Sequence, residues 1–249
     1  MNNTVNFIKF IRYSLSARIY RFLNISVKYK GFALKSSKDF DDYIYKRVED
    51  PMKLRVLDLI KKDTSLPSKF SLLDVGCGPG LMAQMILKDC ALKERVAYTG
   101  IDQSENAIRY LSDTVPKHYN GIVRDVLEEG LPIGDYDVIM LNGVVEHMPN
   151  YTDIVMYMIK KKPKVIVITS FAIIPSNRKD RIRWRDDAQC YMNSYSFNKF
   201  HNFLREKTKS PIYILDFGDE KFNRYWFPKK SDIGWYIMLS DSIKSSKKL

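Results

Sequence analysis

The 249-residue chain has few cysteines, Cys77, Cys90 and Cys190, and no two of them form a Cys-x-x-Cys pair. Neither a disulfide framework nor a cysteine-bound zinc site is supported, and a reducing compartment is the expectation. Histidine is equally scarce, with only His118, His147 and His201 to serve acid–base chemistry. Long apolar runs are missing. The longest, Val165–Ile174, is ten residues, whereas a membrane-spanning helix needs about 20. Lys9 and Arg12 break the apolar residues near the N-terminus, so no secretory signal is expected. Acidic residues are absent from residues 1–38, which hold eight Lys and Arg out of a chain whose net charge is +12. The basic balance therefore belongs mostly to this arm and gives no sign of a nucleic-acid face on the rest.

Three zones follow one another: the basic arm (1–38), a middle in which strands and helices alternate, and an aromatic-rich last third. In the arm, Val5, Ile8, Ile11, Leu15, Ile19 and Phe22 form one apolar stripe at helical spacing, flanked by Arg12 and Arg18. Such a segment is a helix packed on its own domain or a loosely ordered extension, or else a helix that lies against a partner or makes a peripheral membrane contact through residues 1–30. A mitochondrial presequence has the same composition.

The main domain is expected over residues 39–249. Its predicted helices cover 41–48, 52–62, 81–88, 105–112, 151–160 and 197–205. Its predicted strands cover 70–75, 96–101, 121–124, 136–142, 164–170, 212–217 and 234–239. The runs 72–75, 138–141 and 165–168 are continuously apolar, the mark of strands buried on both faces. The alternation predicts an α/β fold, doubly wound, with a mostly parallel seven-strand sheet closed by a hairpin-connected pair.

The strongest local signal is Leu72-Leu73-Asp74-Val75-Gly76-Cys77-Gly78-Pro79-Gly80: a buried strand, a Gly-x-Gly-x-Gly turn and a helix. Such a loop lies at the carboxyl end of the first strand, where open α/β sheets bind ligands. Dinucleotide sites need Gly-x-Gly-x-x-Gly, and here the third glycine comes one residue early. Asp74 would also repel a pyrophosphate. An acid there suits an ammonium group, which S-adenosylmethionine carries together with a sulfonium and no phosphate.

From about Leu72 to Ser170 the sequence resembles the class I S-adenosylmethionine-dependent methyltransferases, in particular the small-molecule branch with its ubiquinone-type and sugar methyltransferases. A weaker echo extends to about Leu204. The resemblance implies that Asp74, Gly76, Cys77, Gly78 and Gly80 hold the methionine end of S-adenosylmethionine. It implies that Asp102, 22 residues after Gly80, accepts from both ribose hydroxyls, with Gln103 lining the adenosine pocket. Asp125 and Val126 fall on the family's adenine motif, and residues 137–148, with Asn142, on the motif that ends the fourth strand.

His147 follows that strand and is the candidate general base for a hydroxyl acceptor. Some relatives bind a divalent metal with Glu-x-x-Glu-His, but Gly143 occupies the first position here, so no metal is expected. The resemblance places a substrate-binding insertion at about 172–195, where Arg183, Trp184, Tyr191 and Tyr195 are candidate acceptor contacts. The expected partner is a small-molecule or glycan/lipid-like acceptor in the cytoplasm. Nucleic acid is the weaker reading: an RNA methyltransferase would share the fold, but no RNA-binding module accompanies it. A catalytically silent cofactor-binding domain is the remaining alternative.

Overall fold

The computed structural model describes residues 37–148, 150–174, 179–185, 190–216 and 231–239. The predicted apolar stripe of the arm and its membrane contact lie outside these residues.

Two helices come first, α1 (Ser37–Arg47) and α2 (Pro51–Lys62). Asp50 caps α2 by accepting from the Met52 and Lys53 amides at 3.0 and 3.3 Å, and Pro51 occupies the first turn, where a missing N–H costs nothing. Alternation then runs β1 (Phe70–Val75), α3 (Leu81–Lys88), β2 (Val96–Asp102), α4 (Glu105–Thr114), β3 (Asn120–Val123), α5 (Val126–Glu129) and β4 (Val138–Asn142). A single 3-10 turn, Val145–His147, leads to α6 (Tyr151–Lys160) and β5 (Val165–Ile174). Three two-residue strands follow, β6 (Trp184–Arg185), β7 (Cys190–Tyr191) and β8 (Tyr195–Ser196), then α7 (Phe197–Thr208), β9 (Ile212–Asp216) and β10 (Ser231–Met238).

The seven long strands stand in the order β3-β2-β1-β4-β5-β10-β9, with β8 added beside β5. Strands β1 to β5 pair in parallel, while β10 runs antiparallel to both β5 and β9. The expected doubly wound sheet with its closing antiparallel pair is therefore present. Successive side chains of each central strand serve opposite faces. Leu72, Met140 and Val167 join Val56, Ile60, Met82 and Ile86 on one side. Leu73, Ile139 and Ile166 join Ile154, Met158, Phe200 and Leu204 on the other. Helix cover on both faces is why these strands read as unbroken apolar runs.

The chain leaves β1 toward β2 and β3, then returns to place β4 on the other side of β1. This reversal opens a crevice between the loops that follow β1 and β4, the place where open α/β sheets take ligands. Sequence periodicity missed α5, the 3-10 turn and the three short strands, each too short to show a period.

Candidate functional site

The loop after β1 is tied down at its start. The amides of Gly76 and Cys77 both donate to the Ile101 carbonyl on β2, at 2.8 and 3.0 Å. Gly76 has φ +70° and packs so closely that a Cβ would lie 2.5 Å from Val144 Cγ2, on the loop after β4. Gly80 is similarly pressed against Leu111. Gly78 differs. It also has positive φ, +55°, yet nothing lies within 4 Å of where its Cβ would be. The outer glycines are required by packing, while the middle one leaves bare backbone next to open space for a ligand.

Asp102 ends β2 and braces this backbone. Its Oδ2 accepts from the Gly78 amide and its Oδ1 from the Ser104 amide, each at 2.9 Å. Each carboxylate oxygen has two lone pairs, so even with a further backbone bond from Gln103 the carboxylate retains capacity for another donor, such as a ribose hydroxyl. Burial raises the Asp102 pKa, opposed by these amide bonds. Asp74, at the end of β1, is buried and accepts from the Tyr98 hydroxyl at 2.9 Å. Burial pushes its carboxyl up to about 7; the Tyr98 bond and the Lys53 charge pull it down, and Asp102 pushes it up.

Gln103 is half-buried on the turn after β2. Asn142 ends β4, with its Oδ1 accepting from the Thr169 hydroxyl at 3.1 Å. Cys77 is different from its neighbours: its side chain packs into the core, and a Cβ at Gly100 would meet its Sγ at 2.7 Å. The thiol is a packing group, and only the Cys77 backbone belongs to the loop. Asp125 caps α5, its Oδ1 accepting from the Leu127 amide at 2.9 Å while its own amide donates to Glu129 Oε1 at 3.0 Å. Val126 is buried beside Ile101 and Val75.

His147 ends the 3-10 turn on the other side of the crevice. Its Nδ1 lies 2.9 Å from the Tyr191 carbonyl oxygen. A carbonyl only accepts, so Nδ1 carries a proton there and, in the neutral ring, Nε2 carries the lone pair. Glu146 beside it is fully buried, with Oε1 accepting from the Ser170 hydroxyl at 3.3 Å. Gly143 stands where a third metal ligand would be needed, and no group of three or more His, Cys, Asp or Glu residues could hold a metal ion among the described residues.

The candidate acceptor residues gather in one hairpin. Trp184 and Tyr191 face each other edge to face with ring centroids 5.1 Å apart, and both are buried. Tyr195 is buried too, and its hydroxyl donates to the Met148 carbonyl at 3.0 Å. These three side chains fill the inside of the hairpin and its seat on the sheet rather than an exposed acceptor surface, because large rings gain most from burial. Arg183 is half-buried, and desolvation together with the nearby Arg181 charge lowers its pKa. Sequence reasoning missed Asn193, which lies fully buried where this hairpin meets the His147 turn. Its only local signal is a polar residue between Tyr191 and Tyr195. Of the other histidines, His118 is exposed and His201 stacks on Phe197.

Residues 73–161, which contain the glycine loop, Asp102 and His147, match the family described as a methyltransferase domain. They form a class I methyltransferase domain. The methyltransferase is of the S-adenosylmethionine-dependent kind, in keeping with the open space beside the Gly78 backbone and the acids at Asp74 and Asp102. Solved structures share the fold at low identity. The plantazolicin methyltransferase BpumL, in complex with a pentazolic desmethylPZN analogue and S-adenosylhomocysteine, is 19% identical with a TM-score of 0.53, over 81% of this chain and 91% of that one. An S-adenosylmethionine-dependent methyltransferase from Leishmania major is 12% identical with a TM-score of 0.56, over 82% and 77%. Another from Mesorhizobium loti is 11% identical with a TM-score of 0.54, over 78% and 99%. In all, 677 chains of solved structures match, so the fold alone selects no acceptor for this methyltransferase. No curated protein matches its sequence.

Proposed function

We propose that this methyltransferase methylates a hydroxyl group of a small-molecule or glycan/lipid-like acceptor, with His147 as the general base. The observation that carries the reading is the 2.9 Å contact from His147 Nδ1 to the Tyr191 carbonyl, which leaves the basic lone pair of the neutral ring on Nε2, a nitrogen shielded from bulk water. S-adenosylmethionine supplies a methyl group already activated on a sulfonium. The chain's own residues have to bind, align and exclude water. Asp74 receives the ammonium of the donor and the Gly78 backbone lets it approach. Asp102 takes the ribose hydroxyls, Gln103 and Asn142 border the pocket, and Asp125 with Val126 sit at the adenine end. His147 takes the proton that the acceptor hydroxyl loses.

The reading extends to location: the enzyme works in the cytoplasm, and residues 1–30 hold it on an anionic membrane surface. The test of the chemistry is S-adenosylhomocysteine release by the purified protein over panels of hydroxylated glycans, lipids and small molecules, with transfer RNA as the competing acceptor. His147→Ala should keep the fold and the cofactor affinity while turnover falls about 10²–10⁴-fold, the usual worth of a general base. Chelation with EDTA should leave the rate unchanged. Full activity of His147→Ala, or turnover on RNA alone, refutes the proposal.

A further inference from the structure

The turn that carries His147 is held from outside the matched domain. Asn193 is fully buried and lies two residues from Tyr191 on the hairpin after β5. Its amide N–H donates to the Glu146 carbonyl at 2.8 Å. Its side-chain Nδ2 donates to the Met148 carbonyl and, at 2.9 Å, to the Tyr195 hydroxyl. The Tyr195 hydroxyl in turn donates to the same Met148 carbonyl at 3.0 Å. The carbonyls on both sides of His147 are thus bonded to one residue, while the His147 ring bonds the carbonyl of Tyr191. Asn193 Oδ1 closes the arrangement by accepting from the Arg183 amide at 3.0 Å, across the hairpin.

Resting on the reading of His147 as the base, we propose that Asn193 is a positioning residue that fixes the tautomer and orientation of His147. A neutral imidazole in water exchanges between two tautomers. Only the one protonated on Nδ1 leaves Nε2 able to accept a proton, and it persists only while the Tyr191 carbonyl stays opposite Nδ1. That carbonyl belongs to the hairpin and the ring belongs to the turn after β4. Asn193 ties the two segments together, through the Arg183 amide on the hairpin and the Met148 carbonyl after the turn, and its fully buried site makes each lost bond costly. An aspartate there would set a carboxylate against the Met148 carbonyl, whereas asparagine offers a donor to that side and an acceptor to the other.

The test reads the ring directly and needs no acceptor. Nitrogen-15 NMR of histidine-labelled full-length protein contains three histidines, and loss of one set of signals in His147→Ala assigns His147. The expected wild-type signature is a proton on Nδ1, with His118, which is exposed to water, giving the comparison. Asn193→Ala should move His147 toward the His118 pattern. Tyr195→Phe, which keeps the ring packing and removes one hydroxyl, should move it partway. A wild-type His147 protonated on Nε2, or unchanged His147 signals in a folded Asn193→Ala, overturns the proposal. If Asn193→Ala does not fold, unchanged signals in Tyr195→Phe overturn it. Full turnover by His147→Ala defeats the base reading instead, and it does so without altering the tautomer result.

Discussion

Acidification should weaken cofactor binding, and Asp74 should be the reason. Its buried carboxyl sits at about 7 rather than the usual 3.8, chiefly through desolvation. To receive the donor's ammonium it must be ionised, so below that value binding has to expel a proton. With a free pKa of about 7 and full ionisation in the complex, affinity should fall about fivefold from about pH 7 to 6 and about fiftyfold by about pH 5. The donor's own α-amino group, ordinarily near about 7.7–8.0, stays charged across that window and adds no slope. Three groups bear on Asp74: Tyr98, itself pushed upward by burial, Lys53 and Asp102. Asp102 is raised as well and is the competing explanation. Calorimetry in two buffers of different ionisation heat measures both the affinity and the protons released. Asp74→Asn should flatten the profile. A flat wild-type profile refutes the reasoning, and so does a slope that survives in Asp74→Asn. The free protein should show the opposite trend. A raised folded pKa gives stability that is complete below the unfolded value near 3.8 and is lost as pH rises through about 7, so the melting temperature of the free protein should fall over that interval.

Asp102→Ala removes the brace on Gly78 together with the proposed ribose acceptor, and should cost about 1–3 kcal/mol of cofactor binding by calorimetry, while NAD should not bind measurably to the wild type. Gly76→Ala and Gly78→Ala should separate in denaturant melts. Both pay about 1–2 kcal/mol for a left-handed residue, but only Gly76→Ala adds a clash, with Val144, and Gly78→Ala should lose cofactor affinity with the smaller loss of stability. Deleting residues 1–30 should leave cofactor affinity intact and reduce sedimentation with anionic vesicles at low salt; a full-length protein that ignores such vesicles refutes the membrane reading.

The sheet was legible because burial on both faces writes itself locally, as in Val138-Ile139-Met140-Leu141. The glycine loop was legible because a tight turn beside open space leaves little choice of residue. Asp125 was read for its place in a motif, and its cap on α5 is also spelled nearby, by Glu129 four residues on. The inward turn of the Cys77 thiol was not visible in its own segment, since the space it fills is made by Gly100 on the next strand. Nor was the packing role of Trp184 and Tyr191, whose burial comes from folding back on each other. Asn193 was least legible of all: its bonds to Glu146 and Met148 reach back more than forty residues, and no periodicity encodes them.

The pairing of Cys77 with Gly100 makes two distant positions share a single allotment of volume. The side chain at position 77 of the glycine loop cannot be enlarged without encroaching on β2, and β2 cannot gain a side chain at position 100 unless position 77 gives one up. A protein engineer could therefore retune the loop from behind, by trading atoms between the two positions, without altering a single group that faces the ligand.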